Sequence, residues 1–262
     1  MKAYFAVRER MRYGFLSGNV LKGIGAVTMV IDHLGAVVLK GYVNSHVSGL
    51  TQAQIDRLGV IYGWLRSIGR ISFPLFVFLL VEGFFHTKDR KKYGQRLFVF
   101  ALLSELPYDL AIYGRFCTWE RQNVLFTLFL GLRVMEMAWR ARVHIEGKDW
   151  RGRELPAGVL FGLQCLIFAA GAGVAHLCRT DYSYKGIALA AVFYFFHAYR
   201  QAAALAGACL FSENVWYFPA FVLILFYDPN RRRKANAGTR RWFYLFYPLH
   251  LLVLAGIVWI VG

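Results

Sequence analysis

The sequence predicts an all-α protein, a polytopic transmembrane helical bundle of about nine spans with eight as the alternative, and three observations carry that prediction. The 262 residues are 58% hydrophobic and 17% aromatic, with a mean hydropathy of +0.42. Charged residues gather in short clusters between long apolar stretches. Most of those stretches reach the roughly 17 to 25 residues that a bilayer-crossing helix needs. Backbone polar groups in lipid must be satisfied within their own segment, which selects helices. A soluble core built from this composition would leave too much apolar surface exposed.

The segment before residue 20 mixes Arg, Glu and aromatic residues and reads as an amphipathic lead-in. The span after it, 20–39, is too long and too polar at its centre for a cleaved signal peptide. Further spans are expected at 71–86, 97–113, 124–139, 155–178 and 243–261. The regions 186–199 and 202–227 make two spans or three, because Ser212, Glu213 and Asn214 interrupt the second. Positive residues on the cytoplasmic side set orientation. With the N-terminus inside, basic clusters at Arg8, Arg10 and Arg12; at Lys88, Arg90, Lys91, Lys92 and Arg96; at Arg140, Arg142, Lys148, Arg151 and Arg153; and from Arg231 to Arg241 should all face the cytoplasm. The last cluster joins them only if the ambiguous region crosses three times, hence nine spans. The whole chain, 1–262, is expected to form a single membrane domain.

The net charge of +16 is then a topology signal and an attraction for anionic membrane lipid. The basic loops carry no DNA- or RNA-binding motif, so no nucleic-acid partner is expected. Cys117, Cys165, Cys178 and Cys209 lack metal-ligand spacing. Cys117 and Cys178 both fall on the expected outer side, so they form either a disulfide or two free thiols.

Polar residues inside the spans recur at helical spacing. On the first span Lys22, Gly25, Met29 and Asp32 share one face, with His33 beside it. On the second, Glu82 and His86 are four apart. On the third, Ser104, Glu105 and Asp109 surround Pro107, whose missing N–H loosens the helix. On the fourth, Asn123, Thr127 and Gly131 continue one face. Four consecutive spans thus present polar side chains inward.

Ionisable groups at such depth are costly without partners, which makes Asp32 and His33 a functional-site hypothesis. The pair equally fits a buried polar bond holding helices together. Glu82 and His86 have the spacing of two metal ligands but no third, and no metal is expected. Arg66 and Arg70, a turn apart before the second span, read as interfacial anchors, either of which can reach an anionic group. Histidine can take a proton from an amine or hydroxyl near neutral pH, and a neighbouring carboxylate can stabilise the imidazolium, which suits acyl transfer. An intramembrane Asp, His and Glu series also suits a proton-coupled transporter, although paired broken helices are absent. A third option is a non-catalytic assembly component of a pilus or envelope machine.

The ordered motifs resemble the TraX family over nearly the whole chain. The resemblance begins with Leu21, Lys22, Gly23 and Ile24 and runs through Met29, Ile31, Asp32, His33 and Gly35. It continues with Gly69, Arg70, Ile71, Ser72, Phe73 and Pro74, then Glu82, Gly83, His86 and Thr87, then Tyr93, Arg96, Ser104, Glu105, Pro107 and Asp109. Asn123, Leu125, Phe126, Thr127 and Gly131 follow, as do Asp181, Tyr182, Gly186 and the terminal run from Phe243 through Tyr247 and Pro248 to His250. The longer polar connection at 44–57 and Lys185 beside Gly186 are less typical. The resemblance implies an acetyltransferase of the bacterial inner membrane, N-terminus cytoplasmic, that uses acetyl-CoA as co-substrate on an amine or hydroxyl acceptor. It implies His33 as general base or acyl carrier, Asp32 as its partner, and Glu105 or Asn123 positioning the acceptor or the oxyanion. Lys88, Lys92 and Arg96, with His86 and Glu82, are expected to bind the coenzyme. Arg70, Asp109, Thr127, Tyr247 and His250 are expected to bind the acceptor.

Overall fold

A computed structural model describes residues 14–145, 156–231 and 237–261. The expected basic residues Arg8, Arg10, Arg12, Lys148, Arg151, Arg153, Arg232, Arg233 and Lys234 lie outside them. The described residues form a helical membrane bundle without β-strands; their only β pairings are isolated bridges, Leu16 with Tyr227 and Gln122 with Thr180. Four helical stretches among them are long and apolar enough to cross a membrane: Gly18–Gly49, Gln52–His86, Ala157–Leu177 and Trp242–Ile260.

The first stretch begins at α1 (Gly18–His33), capped by the Ser17 hydroxyl. It widens into a π-helical turn at Leu34–Leu39 and continues as α2 (Lys40–His46). α3 (Gln52–Gly69) packs back along α1 and the π turn. The sequence suggests a long polar connection at 44–57, but the structure makes most of it helical. A capping box starts α3 so early: Thr51 accepts from the Gln54 N–H and the Gln54 side chain accepts from the Thr51 N–H. After a turn at Arg70 and Ile71 the chain continues as α4 (Ser72–His86), most of it buried. Arg66 lies in the last turn of α3 and Arg70 at its C-cap, where α3 turns into α4.

α5 (Arg90–Tyr113) starts under an Asp89 cap and ends at Gly114, whose φ of 65° satisfies a left-handed C-cap. α6 (Val124–Ile145), α7 (Ala157–Leu177) and α8 (Ser183–Phe195) follow. α9 (Arg200–Leu210), α10 (Phe218–Leu225) and α11 (Ala237–Val261) complete the bundle.

The region 186–227 holds three helices, the division that the nine-span expectation requires. They are antiparallel: Lys185 at the start of α8 pairs with Glu213 beyond α9 at 2.7 Å, and Arg200 at the start of α9 donates to the Tyr227 carbonyl beyond α10. With 13, 11 and 8 residues they reach only about 20, 16 and 12 Å, short of the roughly 30 Å hydrocarbon core. The bundle is shallow on that side and deep along α1 to α3, α5 and α11.

Two apolar clusters hold it together. The larger centres on α4, with Phe73, Leu75, Phe78 and Phe84 against α6 and α8 to α10; the smaller joins Met29, Val37, Tyr108, Tyr247 and Leu251. All four cysteines are free thiols, with Cys117 and Cys178 exposed, so the disulfide alternative is not taken.

This arrangement puts Cys117, between α5 and α6, and Cys178, after α7, at the end opposite Lys91. In sealed vesicles a membrane-impermeant maleimide is expected to label both thiols from one side. A Lys91→Cys variant lacking all four native cysteines should react only from the other.

Candidate active site

Asp32 and His33 end α1, and neither faces the other, because consecutive helical residues point about 100° apart. Each has its own partner. Asp32 turns to α3, where Arg66 donates to its Oδ2 in an ion pair shielded by the bundle. Arg70 and Asp181 lie within electrostatic reach of the same carboxylate. Gly69 makes the approach possible: a Cβ there would stand 2.3 Å from the Asp32 Cβ. Arg70 itself donates to the Tyr217 hydroxyl at 3.2 Å.

His33 turns to α11, its Nδ1 2.8 Å from the Nε2 of His250. The His250 Nδ1 is 2.9 Å from the Phe246 carbonyl. That carbonyl can only accept, so the His250 Nδ1 must carry a proton. With both imidazoles neutral, the His250 Nε2 accepts from the His33 Nδ1–H. The lone pair on His33 then lies at Nε2, pointing away from the pair. The role expected of Asp32, orienting the His33 ring, thus belongs to His250, and Asp32 instead locks α1 to α3. Tyr247 lies against both rings, at centroid distances of 6.4 and 5.5 Å. The π turn opens directly after His33, a feature that recurs at functional sites.

The neighbouring polar residues divide by what their atoms are already doing. Asn123, fully buried, spends every polar atom: Nδ2 donates to the Ala101 carbonyl and to Glu105, and Oδ1 caps α6 by accepting from Leu125 N–H. It has no donor left for an oxyanion; it holds Glu105. The Glu105 Oε2 takes the Asn123 bonds, whereas its buried Oε1 has no hydrogen-bond partner among the described residues. Tyr247 links the groups, with the Val124 backbone N–H on its side chain and Glu105, Asp181 and Asp32 within electrostatic reach. Thr127 donates to the Asp181 carbonyl, and Asp109 accepts from the backbone N–H and hydroxyl of Thr118. These two anchor the loops that precede α6 and α8.

Four residues of this centre were not legible as site residues: Arg66, Asp181, Tyr182 and Tyr217. Asp181 and Tyr182 arrive on a loop in which Arg179, Tyr182 and Ser183 all have positive φ, a strained conformation that such sites retain. The Tyr182 ring stacks on Phe73 at 3.6 Å. Burial pushes the Asp181 carboxyl above its ordinary range, opposed by Arg121 at 3.7 Å.

The remaining expected residues lie elsewhere. Glu82 is 2.8 Å from His197, accepts from the Tyr227 hydroxyl at 3.1 Å and has His86 beside it. Lys88, Lys92 and Arg96 are exposed beyond it, Lys92 pairing with Asp89 at 3.4 Å. The 15 residues of α4 separate this basic end from the His33 level by about 22 Å. Among the described residues no group of three or more His, Cys, Asp or Glu is disposed to hold a metal ion.

Because the Gly69 contact is with the Asp32 Cβ, a side chain there cannot be relieved by a rotamer change alone. Gly69→Ala is expected to cost about 1–3 kcal/mol as an overpacking defect, read as a lower thermal midpoint in detergent. Unchanged stability would mean that α1 and α3 do not meet at this point.

The family described as TraX protein matches residues 17–258. A relative from Dichelobacter nodosus, a probable fimbrial assembly protein FimC of serogroup H1, is 31% identical over 207 residues, 74% of this chain and 82% of its own length. No solved structure matches. The family match takes in both elements of the histidine pair, α1 and α11, and the loops that carry Asp181 and Tyr182, and by that extent the chain belongs to the TraX family.

Proposed function

We propose that the protein is a membrane acetyltransferase that moves an acetyl group from cytoplasmic acetyl-CoA to an amine or hydroxyl acceptor. The observation that carries this reading is the chain from the Phe246 carbonyl through His250 to His33, which leaves an imidazole lone pair in a polar centre inside the bundle.

In this reading the acceptor N–H or O–H gives its proton to the His33 Nε2 as its heteroatom bonds to the thioester carbonyl carbon. The proton then passes from His33 to the departing sulfur, which leaves as the free thiol of coenzyme A. His250 is a positioning residue that fixes the ring and its tautomer. The open Oε1 of Glu105 accepts from the acceptor's donor group. Arg70, with a guanidinium edge beyond its Tyr217 bond, faces the negative charge that develops on the carbonyl oxygen.

The two ends of the bundle suit the two ends of the co-substrate. Coenzyme A carries phosphates and sulfur at opposite ends of a long arm, and the basic end and His33 are about 22 Å apart. The expected cytoplasmic N-terminus in a bacterial inner membrane puts the phosphates at Lys88, Lys92 and Arg96. The acceptor then approaches over the shallow side, where Arg70, Tyr182 and Tyr217 lie at the rim. The fimbrial relative favours a pilin-like peptide amine as that acceptor.

Membranes and detergent-solubilised protein incubated with labelled acetyl-CoA are expected to give a labelled acceptor identifiable by mass spectrometry. His33→Ala should lower that rate by on the order of 10²–10⁴-fold, the usual weight of a general base, at undiminished abundance. His250→Asn should lower kcat, alter its pH profile and leave the KM for acetyl-CoA unchanged. Wild-type turnover in the His33 variant removes the assignment. Pumping that follows a pH gradient without coenzyme would favour a transporter instead.

A further inference from the structure

The loop between α4 and α5 forms one wall of a groove of about 450 Å³ whose other wall is Glu136 and Arg140 on α6. Its chemistry depends on Arg90. That guanidinium sits in the corner of two near-perpendicular rings, its Cζ 4.2 Å from the Phe84 centroid and 4.6 Å from that of Trp139, while its Nε donates to the Phe84 carbonyl at 3.3 Å. These contacts restrict its rotamers before any ligand arrives and leave the other N–H groups of the planar guanidinium to meet one.

The acidic residues at the groove are already engaged. Buried Glu136 accepts from Arg133 and Arg140, each at 2.5 Å, and so fixes Arg140 on the opposite wall. Asp89 caps α5 through the Lys92 N–H at 2.9 Å and pairs with the Lys92 ammonium. Lys88 and Lys91 are exposed and have no ion-pair partner among the described residues. Four cations against two occupied carboxylates leave the groove net positive around one rigid guanidinium. An ordinary orientation-setting loop needs the charge but not the clamp.

We propose that Arg90, Lys88, Lys91 and Arg140 form a binding site for a phosphate ester. A planar guanidinium edge matches two phosphate oxygens, and flexible ammonium groups close over the rest. The shared chemistry has two sources, the nucleotide end of a coenzyme or the headgroup of an anionic phospholipid. Of the residues expected from sequence to meet phosphate, Lys88 lines this groove, whereas Lys92 is taken up by Asp89.

The test uses the full chain in nanodiscs. In one arm, protein in phosphatidylcholine alone is titrated with coenzyme A. In the other, native mass spectrometry counts phosphatidylglycerol retained from mixed phosphatidylglycerol and phosphatidylcholine discs. The exposed double variant Lys88→Gln/Lys91→Gln should weaken binding at least about tenfold in one arm, since each loses charge-assisted hydrogen bonds to the phosphate. Arg90→Gln should abolish it, and Arg90→Lys should restore only part. A loss confined to the coenzyme arm identifies the nucleotide, and one confined to the lipid arm the headgroup. No binding in either arm, or binding equal in wild type and the lysine variant, overturns the site. His33→Ala should bind normally in both arms, so this site and the acetyl-transfer chemistry fail separately.

Discussion

A carboxylate enclosed by apolar helices needs a cation at contact distance, because an uncompensated buried charge costs several kcal/mol. Arg66 meets that need for Asp32, and much of the architecture follows. The pair ties α1 to α3 in the interior, and Gly69 is bare so that the two can approach. With Asp32 committed to α3, the next residue is rotated toward α11. His33 consequently meets His250, and the position of that imidazole follows from where the charge is neutralised.

The histidine pair shows how a small number of backbone groups can set chemistry. The Phe246 carbonyl determines which nitrogen of His250 holds a proton, and that choice passes to His33. Around it, Asn123 and Thr127 hold Glu105 and the Asp181 loop in place while leaving one carboxylate oxygen of Glu105 open. The adjacent buried Ser104 hydroxyl is also unpartnered among the described residues, and such open groups are unusual in a buried network. Short helices α8 to α10 bring this centre close to one surface, whereas the basic end lies a full α4 away.

The fold was legible because its signals are local. Apolar length and the spacing of inward polar residues identified the helices, four of whose stretches are long and apolar enough to cross a membrane, and the interrupted region at 186–227 did contain three helices, though short ones. The connection at 44–57 misled because polar residues on a helical hairpin that rises beyond the apolar bundle resemble a loop, and only the Thr51 and Gln54 cap announces otherwise. Asp32 and His33 stood out by composition, yet their partners did not. Adjacency in sequence suggested that they serve each other, which helical geometry forbids. His250 is 217 residues from His33, and Arg66 read as an interfacial residue because its neighbourhood is amphipathic. Asp181 and Tyr182 appear in sequence only within the family resemblance, and they enter through a strained loop with no hydrophobic periodicity, so long-range contacts are needed to join them to this centre.

The account rests on a lone pair at the Nε2 of His33, which nitrogen NMR of histidine-labelled protein reads directly. Comparison with His33→Gln and His250→Gln would assign the two rings. The structure predicts that both histidines carry their proton on Nδ1, with a hydrogen-bonded acceptor signal at the Nε2 of His250. A proton on the His33 Nε2, or rings that titrate independently as if unpaired, would contradict it.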